Sequence, residues 1–222
     1  MADKRLLLQQ SLQRTFPQHL EVATHCDMLE MTISREQLLD VCQVLQFEKG
    51  LLFNQLIDIC AVDYLHYGQG EWVTDMATET GYSRAKQPMQ QPCTLPHRYA
   101  VVYHLLSLTH NWRLRIKVWL DEADMSVPSV CDIWPNANWY EREAFDLYGV
   151  FFDDHPDLRR LLTDYGFVGH PFRKDFPLEG HVEMRYDATA GKCLYEPVEI
   201  KNRVVVPKVV RHQPGVAANE DT

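Results

Sequence analysis

No two cysteines in this sequence are spaced C-x-x-C. The six, Cys26, Cys42, Cys60, Cys93, Cys131 and Cys193, are scattered along 222 residues. Neither a disulfide framework nor a zinc or iron–sulfur ligand set uses such spacing, and they read as free, buried thiols. Also missing are G-x-G-x-x-G, G-x-x-x-x-G-K-[ST] and G-x-S-x-G, so nucleotide, phosphate and acyl chemistry have no motif behind them. No apolar run approaches the roughly eighteen residues of a membrane span. The amphipathic start MADKRLLLQQSLQRTF is unlike a signal peptide, so the chain is expected in the cytoplasm. Basic blocks are lacking too: a net charge of −9 with nothing to offset it argues against non-specific binding to nucleic acid or anionic lipid, and membrane association would need a partner.

What is present suits one soluble domain with extensions, 45% of it hydrophobic. Asp3 to Thr15 sets Leu6, Leu7, Leu8, Leu12 and Phe16 on a broad apolar face of a surface helix that Pro17 ends. Ala23 to Ile33 alternates Met28, Glu30 and Thr32 with Leu29, Met31 and Ile33, the pattern of a half-buried strand. Ser34-Arg35-Glu36-Gln37 has the form of a capping box for a helix carrying Leu38, Leu39, Val41, Cys42 and Leu45, with Gly50 as its stop. Leu56 to Tyr64 favours a strand, and Asp58 and Asp63 read as strand edge and strand end rather than an acid/base couple. From His66 to His97 periodicity disappears into a long excursion. Arg98 to Leu120 is a β-hairpin with Tyr99, Val101, Tyr103 and Leu105 in one row, and Arg113, Arg115 and Lys117 as the solvated face of its second strand. Asp121 to Pro135 is an ordered connector. Together these predict an α+β fold: a mixed or antiparallel sheet with helices packed on one face, then an extended irregular C-terminal tail. The domain organisation expected is 1–150 as the α+β domain with 66–97 as its excursion, 151–181 as an interface segment, and 182–222 as the tail, β-prone but broken by Gly191, Pro197 and Pro207.

The densest stretch runs from Asn138 to Leu178. Its first part is a helix, with Asn138 and Glu141 spaced as a capping box, Asn136 as the other candidate cap, and Gly149 as a left-handed stop. At 3.6 residues per turn Arg142 can reach Asp146, and charges set among Trp139, Tyr140, Phe145, Leu147 and Tyr148 are expected to face something. A second short helix is expected with Pro156 in its first turn, Asp157 near its positive end, and Arg159 and Arg160 near the other. Beyond it, Gly166, Gly169, Pro171 and Pro177 leave an irregular segment that lays Arg173, Lys174 and Asp175 over a surface.

A catalytic or metal-binding reading would use Glu141, Glu143, Asp146, Asp153 and His155. Glu141 and Glu143 point to different sides of the helix, and a turn role suffices for His155. His97, His104 and His110 lack the spacing of a ligand pair. Neither catalytic residues, a metal site nor a bound cofactor is expected in this chain.

EREAFDLYGV, HPDLRRLL and GHPFRKDFPLEGHVEMRYD, in that order and closely spaced, resemble the 30 kDa subunit family of respiratory complex I, the bacterial proton-pumping NADH:quinone oxidoreductase. LYEPV and NRVVVPKVVR in the tail, and LIDICAVDYL in the first half, resemble it too. The resemblance implies a peripheral-arm subunit on the cytoplasmic side of the inner membrane, in a complex that moves electrons from NADH through FMN and iron–sulfur clusters to quinone. It implies that those cofactors sit on other subunits, that the tail clasps the quinone-site subunit, and that neighbouring peripheral-arm subunits are further partners. Glu141, Arg142, Glu143 and Asp146, then Asp157, Arg159 and Arg160, then His170, Arg173, Lys174 and Asp175 match the family motifs, and by their chemistry they are packing and interface residues. The equivalent subunit of a related membrane-bound hydrogenase or other quinone-linked dehydrogenase is the nearer alternative; an autonomous metal hydrolase is the distant one.

Overall fold

The computed structural model describes residues 2–16, 21–25, 28–65, 67, 77–78, 81–82, 95 and 97–199. The chain divides into two compact units, one of Met1–Leu65 with Leu95–Gly180, the other of His66–Thr94 with His181–Thr222.

The first unit is built on five strands: β1 (Glu21–His25), β2 (Met28–Ile33), β3 (Gln55–Asp63), β6 (Tyr99–Ser107) and β7 (Trp112–Leu120), in the order β1-β2-β7-β6-β3. All neighbours are antiparallel except β2 and β7, so the sheet is mixed, as the sequence led us to expect. The alternation in the sequence sets which side chains turn inward. Leu29, Met31 and Ile33 on β2, Tyr99, Val101, Tyr103 and Leu105 on β6, and Leu114, Ile116, Val118 and Leu120 on β7 are all buried in one core. Helices α1 (Ala2–Thr15), α2 (Leu38–Phe47) and α3 (Ala137–Tyr148) add Leu8, Leu12, Leu38, Val41, Cys42, Leu45, Ala137 and Ala144 to that same core, so they cover one face. The other face is less open than a solvated strand: Arg115 and Lys117 reach across to Glu30 on β2, at 3.2 and 2.6 Å.

Several local expectations yield to longer-range contacts. The apolar face of α1 is narrow: Leu8 and Leu12, one turn apart, are buried, but Leu6 and Leu7, each turned about 100° from its neighbour, stay 56% and 50% exposed. Ser34 makes no capping bond. A 3-10 turn over Arg35–Gln37 closes first, with Gln37 N–H donating to Ser34 O at 3.3 Å, and α2 starts after it. That helix ends at Glu48, so Gly50 falls in the next turn rather than acting as the stop. Asn138 lies within α3 rather than capping it; Asn136 stands at its start, but its side-chain amide donates to Leu56 O at 2.8 Å.

Strand β8 (Ser126–Pro128) pairs in parallel with β9 (Phe151–Asp153), tying the connector to the end of α3. The short helix expected after Pro156 is absent, and Asp154 to Arg160 is turn and coil. Its backbone groups are taken by side chains: Asp157 N–H donates to His155 Nδ1 (3.0 Å), and the Arg159 and Arg160 carbonyls accept from Arg142.

In the second unit β4 (Ala77–Thr78) pairs with β5 (Gly81–Tyr82), and β10 (Val182–Asp187) with β11 (Lys192–Pro197), both antiparallel. The stretch expected to be irregular is thus a hairpin over 182–197, its turn ending on Gly191 at φ 64°. Arg185 and Glu196 make a two-pronged ion pair across it. Most of the 66–97 excursion, and the tail from 200 on, lie outside the described residues, as do Cys26 and Cys93. Of the other cysteines, Cys42 is buried as expected, Cys60 and Cys131 are half-buried, and Cys193 is exposed.

Candidate functional site

The residues singled out in the sequence converge around the end of α3, and Asp146 is their centre. Its side chain is fully buried. Oδ2 accepts the backbone N–H groups of Leu161, Leu162 and Thr163 at 3.0, 2.7 and 2.9 Å; Oδ1 accepts from the Arg160 guanidinium at 3.0 Å and from the Thr163 hydroxyl. Burial pushes this carboxyl up, but the bonds from Thr163, Leu162 and Leu161 outweigh it and hold the pKa at about 2. Arg142, expected to pair with Asp146, instead donates to Arg159 O (3.2 Å) and Arg160 O (3.4 Å) and lies over the Trp139 ring. Arg160 closes the loop by donating to Gly169 O at 3.1 Å. The 159–169 segment is therefore wrapped around one carboxylate.

The C-terminus of α3 organises the next stretch. A helix leaves its last carbonyls without intrahelical partners, and here 170–173 supplies them. Asp146 O is bonded by His170 Nδ1 (3.0 Å), Leu147 O by Phe172 N–H (3.1 Å), and Tyr148 O by Arg173 Nε (2.7 Å). The arrangement needs Gly149, at φ 79°, where an added Cβ would stand 2.5 Å from an Arg173 guanidinium nitrogen and 2.6 Å from His170 Nε2. Gly149→Ala is expected to cost at least about 1–2 kcal/mol from the left-handed backbone alone, and more because both side chains must give up their bonds. Thermal melting against wild type checks this; an unchanged melting point would mean the His170 and Arg173 contacts are dispensable.

A second buried carboxylate anchors the same segment to the sheet. Asp63, at the end of β3, accepts a two-pronged bond from Arg98 (2.9 Å to each oxygen), Leu65 N–H (2.9 Å) and Lys174 N–H (2.8 Å). Arg98 also pairs with Glu122 (2.8 Å) and Asp175 (3.0 Å). Burial pushes the Asp63 pKa up, yet these bonds, Arg98 first among them, bring it below its usual value. Sequence reading took Asp63 as a simple strand end and gave Arg98, Thr163 and Ser129 no role. Asp63 stands 111 residues from Lys174, so no local spacing could have joined them.

Glu141 is the third buried carboxylate. Its oxygens accept Ser129 O–H (2.6 Å), Val130 N–H (2.8 Å) and the Cys131 thiol (3.4 Å), and His155 Nε2 lies 3.9 Å away. Ligand atoms of Cys131, Glu141 and His155 lie within 4.8 Å of one another, but all are already engaged. With His155 Nδ1 accepting from Asp157 N–H, the ring proton is on Nε2, directed at Asn138 O 3.3 Å away, so neither nitrogen offers a free lone pair. Burial raises the Glu141 pKa. A raised folded-state pKa means stability that is full below the ordinary value of 4.5 and lost as pH rises through the folded value. Glu141→Gln is expected to remove that fall, so the wild-type minus variant difference in unfolding free energy should decrease as pH rises above 4.5. A pH-independent difference would show that Glu141 does not titrate with folding.

Of the other residues, Glu143, Asp157, Arg159, Lys174 and Asp175 are exposed, while Arg160, His170 and Arg173 are half-buried. Glu141, Arg142 and Asp146 are buried in this chain and bonded by its own groups. Around them the surface is apolar: Trp139, Leu162, Tyr165, Val168, Phe172 and Leu178 are all exposed.

The family described as "Respiratory-chain NADH dehydrogenase, 30 Kd subunit" matches residues 31–182, from β2 through this whole latched segment. The chain belongs to that family. Among relatives of this 30 kDa subunit, an NADH-quinone oxidoreductase subunit of Coxiella burnetii (strain Dugway 5J108-111) is 51% identical over 214 residues, 95% of this chain and 94% of that one. The protein of the same name from Legionella pneumophila (strain Corby) is 55% identical over 195 residues, 86% of each chain. In structure the 30 kDa subunit is similar to the trypsin-resistant fragment (1-134) of Nqo5, with a TM-score of 0.52 and 29% identity over 68% of this chain and 99% of that one. The fold is also shared with a chain of the membrane-bound sulfane sulfur reductase, an archaeal respiratory membrane complex, with a TM-score of 0.55 and 21% identity over 79% of this chain and 86% of that one. Among the described residues no helix is long and apolar enough to cross a membrane.

Proposed function

We propose that this chain is a non-catalytic, peripheral-arm subunit of a proton-pumping NADH:quinone oxidoreductase, placed beside the quinone-site subunit on the cytoplasmic face of the inner membrane. FMN and the iron–sulfur clusters belong, on this reading, to other subunits. The observation that carries it is how the three buried carboxylates are used. Glu141, Asp146 and Asp63 each take every available donor from their own chain, so they hold segments in place and offer no free acid or base. What they hold outward is an apolar surface rimmed by Glu143, Asp157, Arg159, Lys174 and Asp175, which suits a partner chain better than a substrate.

Deleting the gene is expected to abolish NADH-to-quinone turnover in membranes, and a plasmid copy to restore it. Full turnover in the deletion strain would overturn the reading.

A further inference from the structure

The latched segment carries more exposed apolar surface than folding explains. Tyr165, Val168 and Leu178 are 86%, 82% and 87% exposed, and Leu162, Phe172 and Trp139 more than half. Scattered single apolar residues on a surface need no explanation, but a run of large ones on one segment does. This run is not loose chain. Leu162 has its N–H on Asp146, Phe172 has its N–H on Leu147 O and its ring edge-on to Tyr148, and Trp139 sits under the Arg142 guanidinium that fixes Arg159 and Arg160. Pre-organised aromatic and aliphatic anchors, ordered before binding, save part of the entropy that association costs.

The charges around the patch bear on the occupant. Asp157 and Arg159 pair with each other at 2.8 Å, and Asp175 pairs with Arg98 at 3.0 Å. Glu143 and Lys174 leave one charge of each sign, so the patch is close to neutral in a chain of net charge −9. A second copy would bring another −9 with no opposite charge at the contact to offset it. An anionic membrane is disfavoured for the same reason.

Resting on the function proposed above, we infer that Trp139, Leu162, Tyr165, Val168, Phe172 and Leu178 form the apolar centre of a contact with a different subunit of that assembly, one of neutral or basic net charge that presents a dry, aromatic-accepting groove. Tyr165, Val168 and Leu178 are the anchors, and Asp146 and Asp63 act as positioning residues beneath them.

The test uses the deletion strain complemented with the full chain, either wild type or Tyr165→Ser/Val168→Ser/Leu178→Ser, plus the single variants Tyr165→Ser and Leu178→Ser. Native gels of detergent-solubilised membranes, probed for this chain, read the fraction in the large assembly; melting of each purified chain reads its fold. The expected result is an unchanged melting point, with incorporation of the triple variant reduced about tenfold or more and the singles in between. If the wild-type chain is itself absent from any large assembly, the proposed function fails. Should the wild type assemble and a normally melting triple variant assemble equally well, the inference fails while the function stands. If the triple variant melts lower, the singles decide by the same criterion. Two measurements on the isolated proteins test the other occupants: sedimentation showing a wild-type dimer that the variant loses, or flotation with 4:1 phosphatidylcholine:phosphatidylglycerol vesicles that the variant loses. Either would overturn the assignment to a different subunit.

Discussion

Asp146→Ala is expected to destabilise the isolated chain by about 3–5 kcal/mol, as breaking a buried pair does, and to lower its melting point by roughly 6–20 °C for a domain of this size. The substitution leaves three consecutive backbone N–H groups and the Arg160 guanidinium without their acceptor. Each buried donor left unmade costs about 1–3 kcal/mol, reduced where water can enter. Asp146→Asn is expected to lose about half as much, because one carbonyl oxygen can still accept the three N–H groups while its NH2 opposes Arg160 and Thr163. The acid limb gives an independent reading. A folded-state pKa depressed to about 2 from 3.8 means stability that is present above pH 3.8 and lost as pH falls through about 2, amounting to roughly 2 kcal/mol. Urea titrations at pH 7 and pH 3 on wild type and both variants measure all of this. A loss below about 0.5 kcal/mol for Asp146→Ala, as at an exposed site, would remove the latch from consideration.

Asp63→Ala is the second large effect, again about 3–5 kcal/mol, with a different signature. Besides freeing Arg98, it releases the bond between the Lys174 backbone and the sheet end. Hydrogen exchange is therefore expected to speed up at the Leu65 and Lys174 amides and, with them, at Phe172, Arg173 and Phe176, while the Asp146 loop keeps its protection. Much of the cost is the positive charge left behind in a largely buried position. Asp63→Ala/Arg98→Ala is accordingly expected to cost no more than Asp63→Ala alone, and additive losses would show that the pair is not coupled.

These two carboxylates also mark where sequence reading stops. Period-2 alternation places Leu29, Met31 and Ile33, and Tyr99 through Leu120, on the correct face, because side-chain direction in a strand depends only on the strand itself. The left-handed stop at Gly149 is local in the same sense. Arg142 and Asp146 are helical neighbours by spacing, yet do not pair, since Asp146 is offered three N–H groups and Arg160 by a loop 14 to 17 residues away. The local signals at Pro156, Asp157, Arg159 and Arg160 describe a helix well enough. They lose because side chains of α3 claim the carbonyls of Arg159 and Arg160, which no window of the sequence around Pro156 contains. In the site, residue identities were legible and their partners were not.

The unequal spans of the two latches set an order of events during folding. Asp146 and Leu162 are 16 residues apart, Asp63 and Lys174 are 111. Closing a loop costs entropy that grows as the logarithm of its length, so the longer closure is dearer by roughly 1.7 kcal/mol. The turn around Asp146 can thus form as soon as α3 exists, whereas the clamp at Asp63 must wait for the sheet. On the ribosome the separation is wider still: Asp63 and Arg98 are both made well before Lys174, so the sheet end can assemble with its carboxylate already neutralised by Arg98 and one acceptor position open. The last step of folding for this unit is then a docking of Lys174 onto a finished receptor.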